Sequence, residues 1–111
     1  FIPKGTRVWE FTRGCDQVYA EADLATLHPV QREIIMFYCY VEIGRDGVVL
    51  CCDNARHFNY ARDFNCGPGD HTVDGYVSTF ALRDIREGEE LTFSIEEDED
   101  AMRKLGPAAN L

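Results

Sequence analysis

The chain has 111 residues, 45% of them hydrophobic and 12% aromatic, enough for one globular domain whose core needs no disulfide or metal. No apolar run approaches the ~20 residues that a membrane-spanning helix requires, and the hydrophobic share is too high for a disordered chain. Twenty acids against 11 bases leave a net charge of −9, which argues against wrapping nucleic acid through phosphate neutralisation and favours a cationic partner, besides keeping the chain soluble.

Ile2 to Thr6 reads as a turn, with Pro3 and Gly5 placed as a turn demands, and Arg7 to Phe11 as a half-buried strand. A chain that opens on a turn leads us to expect a strand before it. Asp23 is suited to cap a short helical turn through Leu27. Pro29 then stands at the first position of a helix that carries Val30, Ile34, Phe37 and Tyr38 on one face. Tyr40 to Ile43 and Val48 to Cys51 flank Gly44-Arg45-Asp46-Gly47, which predicts a hairpin turning on Asp-Gly.

From Asp53 to Asp70 the pattern becomes irregular, yet Phe58, Tyr60 and Phe64 interrupt it. Loops pinned to a core by aromatics hold binding residues more often than strands do. Val73 to Leu82 predicts a strand with a bulge or bend at Gly75, Arg83 to Gly88 a turn, and Glu89 to Ile95 another strand. Glu96, Glu97, Asp98, Glu99 and Asp100 follow, seven acids with Glu89 and Glu90, and lead a predicted helix over Glu97 to Leu105 that Gly106-Pro107 stops. This acidic third is where a basic peptide would be drawn.

Cys15, Cys39, Cys51, Cys52 and Cys66 form an odd set without a CxxC or a Cys/His metal spacing. We therefore expect five free thiols, no metal, and a reducing intracellular location, cytoplasmic or nuclear. On a strand Cys51 and Cys52 point to opposite faces, one to the core and one half-exposed. Cys66 reads as a small buried residue, and His28, His57 and His71, which share no ligand spacing, as surface or satisfied core histidines.

Three segments, in order, resemble the SET-domain protein-lysine methyltransferases, in particular short single-domain members. Ile2-Pro3-Lys4-Gly5-Thr6-Arg7-Val8 is similar to the turn and strand after that family's N-terminal glycine motif. Ala55-Arg56-His57-Phe58-Asn59-Tyr60-Ala61-Arg62-Asp63-Phe64-Asn65-Cys66 resembles the Arg-Phe-x-Asn-His-Ser-x-x-Pro-Asn segment. Ala81-Leu82-Arg83-Asp84-Ile85-Arg86-Glu87-Gly88-Glu89-Glu90-Leu91-Thr92-Phe93 resembles the Arg-Asp-Ile-x-x-Gly-Glu-Glu-Leu-Thr-Phe/Tyr segment.

The resemblance implies a mostly β, β-clip-like SET domain over residues 1–111 without its first strand: several small sheets, a few short helices, and a knot-like crossing of the C-terminal segment beneath the loop that holds Asn59. A Gly-x-Gly before Phe1 is part of that expectation. It further implies S-adenosylmethionine as methyl donor and a lysine side chain as acceptor; with the acidic charge, we expect that lysine on a basic protein or peptide, and neither direct nucleic-acid contact nor a membrane. Arg56, Phe58, Asn59 and Tyr60 fall in the cofactor-binding segment, Asn59 at the position of the family's cofactor-binding asparagine. Phe93 falls where Phe or Tyr limits the number of methyls added, Ile95 where the family carries its catalytic tyrosine, and Tyr40, like Tyr38, on a segment able to line the channel. Tyr60, Ala61 and Phe64 replace the family's His, Ser and Pro, removing two side-chain hydrogen bonds, and isoleucine at position 95 has no hydroxyl. An inactive SET-like module that binds a partner or cofactor is the alternative, and an unrelated acidic adaptor a third reading.

Overall fold

The computed structural model describes residues 1–42 and 45–95. Its elements are mostly short strands: β1 Arg7–Trp9, β2 Gln17–Tyr19, helix α1 Glu21–Thr26, helix α2 Pro29–Tyr38, β3 Val48–Leu50, a 3-10 turn Asn54–His57, β4 Asn59–Ala61, β5 Cys66–Val73, β6 Tyr76–Ala81 and β7 Thr92–Ser94. They make three small sheets, ordered β1-β6-β5, β2-β3 and β4-β7. The chain groups into two compact units, one of Phe1–Arg13 with the described residues from Phe58 onward, the other within Gly14–His57. The helix expected over Glu97 to Leu105 and the acidic run before it lie outside the described residues.

The first unit is built on the β5-β6 hairpin, in which Val73 pairs with Tyr76 across Asp74-Gly75. Both turn residues have positive φ, 53° and 83°, the geometry of the two-residue turn whose twist matches that of the flanking strands. Gly75 thus closes a hairpin and does not bulge a single strand. Beside it, β1 pairs antiparallel with β6, and the register slips between Arg7 and Trp9. Ile2 and Ile85 exchange backbone hydrogen bonds at 2.8 Å, closing the expected N-terminal turn against the Arg83–Gly88 turn. Cys66, Ala81 and Ile85 form the buried centre, with Val8, Phe58, Leu91 and Phe93 packed on it.

In the second unit Leu24, Ile35 and Val48 make the core, joined by Tyr19, Leu27, Met36, Cys39, Val41 and Leu50. Helix α2 starts where Pro29 placed it, and the His28 ring caps it by accepting from the Val30 amide at 3.2 Å. Its buried face is not the expected one. Ile35 is 8% exposed, whereas Val30 is 57%, Ile34 54% and Phe37 79% exposed. Apolar residues run without a break from Ile34 to Tyr38, so helical spacing admits two neighbouring stripes, and tertiary packing selects the one through Ile35. Helix α1 is preceded by Ala20 as its cap residue, with no side-chain cap. Asp23 lies within the first turn, its carbonyl accepting from the Thr26 hydroxyl at 2.8 Å.

The partner of β3 also differs from expectation. Val48–Leu50 pairs antiparallel with Gln17–Tyr19, while Tyr40 contributes a single bridge to Val49. Gly47 still serves the turn, at φ +79° and with a Cβ position only 1.9 Å from the Tyr19 carbonyl oxygen. No side chain fits there. Carried two residues outward, the β2-β3 register sets Cys15 opposite Cys52, and these two form a disulfide with Cα atoms 5.6 Å apart. The expectation of five free thiols is thereby corrected to three, Cys39, Cys51 and Cys66. Cys51 and Cys52 do face opposite ways, Cys51 into the core and Cys52 outward.

Candidate active site

The site expected from the sequence begins with β4 and β7. Although far apart in the chain, they pair in parallel, with Asn59 opposite Thr92, Tyr60 opposite Phe93 and Ala61 opposite Ser94. That register gathers the aromatics. The Phe93 ring lies 4.9 Å from Phe58 and 6.1 Å from Tyr60, tilted against both. Phe58 and Phe93 are anchored below by Cys66, Ala81 and Ile85, so the ring cluster stands on a rigid base. Ile95, half-buried, follows directly on β7.

A buried asparagine holds this arrangement. Asn65 is 2% exposed, and its side-chain Oδ1 accepts from the Thr92 amide at 2.9 Å while its Nδ2 donates to the Glu90 carbonyl at 2.8 Å. Its backbone amide donates to the Thr92 hydroxyl at 3.3 Å, and its carbonyl accepts from the Leu82 amide at 2.8 Å. The Cys66 thiol also donates to Oδ1. A buried polar side chain with both acceptor positions and one of its two donor hydrogens engaged in this way fixes one geometry. Burial pushes the Cys66 thiol up from its ordinary pKa, which suits a packing role and not a nucleophilic one.

At the exposed edge, the Asn59 side-chain Nδ2 donates to the Glu90 carboxylate. Glu89, next to it, accepts from the Arg86 amide at 2.7 Å and pairs with Arg83 at 3.3 Å. The Arg86 amide, then the Arg83 guanidinium, hold the Glu89 carboxyl below the usual carboxylate range. Gly88, at φ +89°, makes the turn between them.

Phe58, Asn59, Tyr60, Phe93 and Ile95 therefore share the first unit. Tyr40 and Arg56 belong to the second, where Tyr40 exchanges backbone hydrogen bonds with Val49 at 2.9 Å and the Arg56 Nε donates to the Cys51 carbonyl at 2.9 Å. Sequence reasoning assigned no role to Asn65 or Thr92, and counted Glu90 only among the acids that would draw a basic peptide. The available signal was Asn65 itself, aligned with the last residue of the matched pattern, whose spacing from Asn59 leaves room for β4 and a return to β5.

The histidines are engaged structurally. His71 accepts from Arg7 at 3.0 Å through Nε2 and so presents Nδ1–H to the Ser78 hydroxyl at 2.7 Å, and His57 lies edge-on to Tyr38. Asp16, Cys52 and Asp53 converge closely enough to suggest a metal site. The Cys52 sulfur, however, is committed to Cys15, and Asp16 accepts from the Cys52 amide at 2.8 Å. An open depression of about 510 Å³ lined by Lys4, Pro68, His71, Phe80 and Leu82 contains none of the candidate residues.

Two of the three segments that carry the sequence resemblance, one with Asn59 and the other with Thr92-Phe93, thus lie side by side in parallel. A family model of the SET domain matches residues 1–95. The chain belongs to the SET-domain family, whose usual assignment is protein-lysine methyltransferase and whose members typically bind S-adenosylmethionine. A search of curated proteins returned no match.

Proposed function

We propose that this protein is an S-adenosylmethionine-dependent methyltransferase acting on a lysine side chain of a basic protein or peptide. The observation that carries the reading is the parallel β4-β7 pairing, which sets Asn59 and Tyr60 beside Phe93. The described residues fit the cofactor at its amino-acid end, where the Asn59 amide is exposed and held in one orientation by Glu90. When bound, S-adenosylmethionine supplies a methyl group activated on a sulfonium.

The chain's own contribution is alignment and desolvation. An in-line displacement on a methyl group needs the amine lone pair held in register, and orientation outweighs acid-base assistance. The Phe58, Tyr60 and Phe93 rings form an apolar wall that excludes water, and an amine against such a wall loses its proton more readily. The net charge of −9 draws a basic substrate.

Isoleucine at position 95 favours a second reading, a module that binds without turnover, because no hydroxyl stands there to orient the amine. Calorimetric titration with S-adenosylmethionine, followed by transfer of a labelled methyl group to lysine peptides, separates the two. Binding with transfer supports the enzyme, binding without transfer to any lysine peptide supports a cofactor-binding module, and no binding overturns both of these and leaves only a module that binds a partner.

A further inference from the structure

Glu90 is gripped by two asparagines of one segment. Its backbone carbonyl accepts from Asn65 Nδ2 at 2.8 Å, and its carboxylate accepts from Asn59 Nδ2. The first bond does not depend on the Glu90 side chain. It fixes where that side chain starts, and the second bond fixes where it ends.

A primary amide offers a donor edge and an acceptor edge, and the torsion that exchanges them is soft, so an exposed asparagine left alone presents either. An ionised carboxylate accepts only. Glu90 therefore selects the amide orientation with Nδ2 toward itself, which turns Oδ1 to the opposite side. A group binding at that side has to be a donor, and the adjacent carboxylate adds a preference for positive charge.

We infer that Glu90 is a positioning residue that sets the Asn59 amide to receive the α-ammonium of an amino-acid ligand and to turn away its carboxylate. The inference rests on the cofactor reading above and deepens it: Asn59 meets the cofactor through Oδ1, and Glu90 is the reason.

The test is calorimetric titration of the full-length protein with S-adenosylhomocysteine, which carries the α-ammonium, and with 5′-methylthioadenosine, which lacks the amino-acid end. Glu90→Leu removes the acceptor and is expected to weaken S-adenosylhomocysteine about tenfold, 1.4 kcal/mol, while 5′-methylthioadenosine stays at the parent's affinity. Glu90→Gln keeps an acceptor oxygen and is expected to hold S-adenosylhomocysteine within about threefold of the parent. Equal loss of both ligands, or failure of glutamine to rescue, identifies a merely structural role and overturns the inference. Undiminished binding by Glu90→Leu overturns it as well and leaves the cofactor reading standing. A parent protein that binds neither ligand overturns that reading, and the inference with it.

Discussion

Asn65 and Thr92 hold each other reciprocally: the backbone amide of each donates to the side chain of the other, at 3.3 and 2.9 Å, between residues 27 positions apart. The pair locks β7 against the start of β5 and so fixes the height of Phe93 relative to Tyr60. In this protein the site's rigidity is a matter of polar satisfaction in a buried place as much as of aromatic packing.

Removing that clamp is expected to be costly. Asn65→Ala leaves the Thr92 amide and the Glu90 carbonyl without their partner, and a buried unsatisfied group costs about 1–3 kcal/mol. Urea denaturation of Asn65→Ala is expected to show a loss of about 2–4 kcal/mol. Thr92→Val, which keeps the backbone bond and removes only the hydroxyl, is expected to lose about 1 kcal/mol. Equal losses would mean that the side-chain amide carries no special weight.

The two stripes of α2 give a paired expectation. Ile35→Ala, on the buried stripe, is expected to cost about 2–5 kcal/mol, whereas Phe37→Ser on the exposed stripe should stay within about 0.5 kcal/mol of the parent. Thermal and urea unfolding of the two variants check this. A large loss at Phe37 would show that the exposed stripe has a partner.

Much of this fold was legible from local chemistry, because turns and helix starts are written in residues that few other conformations use. Pro29 marked the start of α2, and Pro3-Lys4-Gly5 marked the first turn. The missing pieces share a cause. Gln17–Tyr19 is an exposed three-residue strand with no periodicity to announce it, and without it neither the partner of β3 nor the Cys15–Cys52 pair can be deduced. Ile34 to Tyr38 is apolar at every position, so its buried stripe is decided by neighbours and not by spacing. At the site, motif order singled out the segments of Asn59 and Phe93, which the structure pairs in parallel as β4 and β7. The clamp through Asn65 requires knowing that β4 and β7 run side by side.

The disulfide closes a loop with its ends 37 positions apart, and the loop-entropy relation gives about 3–4 kcal/mol for that length. Cys15→Ser/Cys52→Ser is expected to lose stability of that order in urea. Alkylation of the denatured chain should add three adducts without reductant and five after it, read by mass spectrometry. Five adducts without reductant would restore the reading of a fully reduced protein.

The free thiols predict an alkaline limit. Burial pushes Cys39 and Cys51 up to about 12 from 9.0, with Asp16 and Asp53 adding to the effect at Cys51. Between those values the unfolded chain releases thiol protons that the folded chain keeps. Stability is therefore unaffected below pH 9 and falls above it, by up to about 1.4 kcal/mol per pH unit for each thiol. Urea midpoints measured from pH 7 to 11 should be level and then decline. Cys39→Ala/Cys51→Ala should flatten the decline, and a parent curve level to pH 11 would contradict it.

If transfer is limited by the missing hydroxyl, Ile95→Tyr is expected to raise the single-turnover rate on a lysine peptide by about 10²-fold, the usual worth of one positioned polar group in a transition state. Overpacking costs about 1–3 kcal/mol, so melting is measured beside rate. A folded, cofactor-binding variant that transfers no more than its parent would remove position 95 from the reaction.

The parallel pairing of β4 with β7 also orders events in time. The β5-β6 hairpin lies wholly between the two strands, and distant pairings form slowly because loop closure must come before any contact compensates it. During synthesis Asn59 leaves the ribosome well ahead of Phe93, and for that interval the motif has no partner strand. The hairpin can close without β7, but the aromatic cluster cannot assemble until the chain has been made through Ser94. Recognition of a cofactor at this site thus waits on the synthesis of β7, and a translation product ending within the Arg83–Gly88 turn would retain its central hairpin while having no β4-β7 pairing.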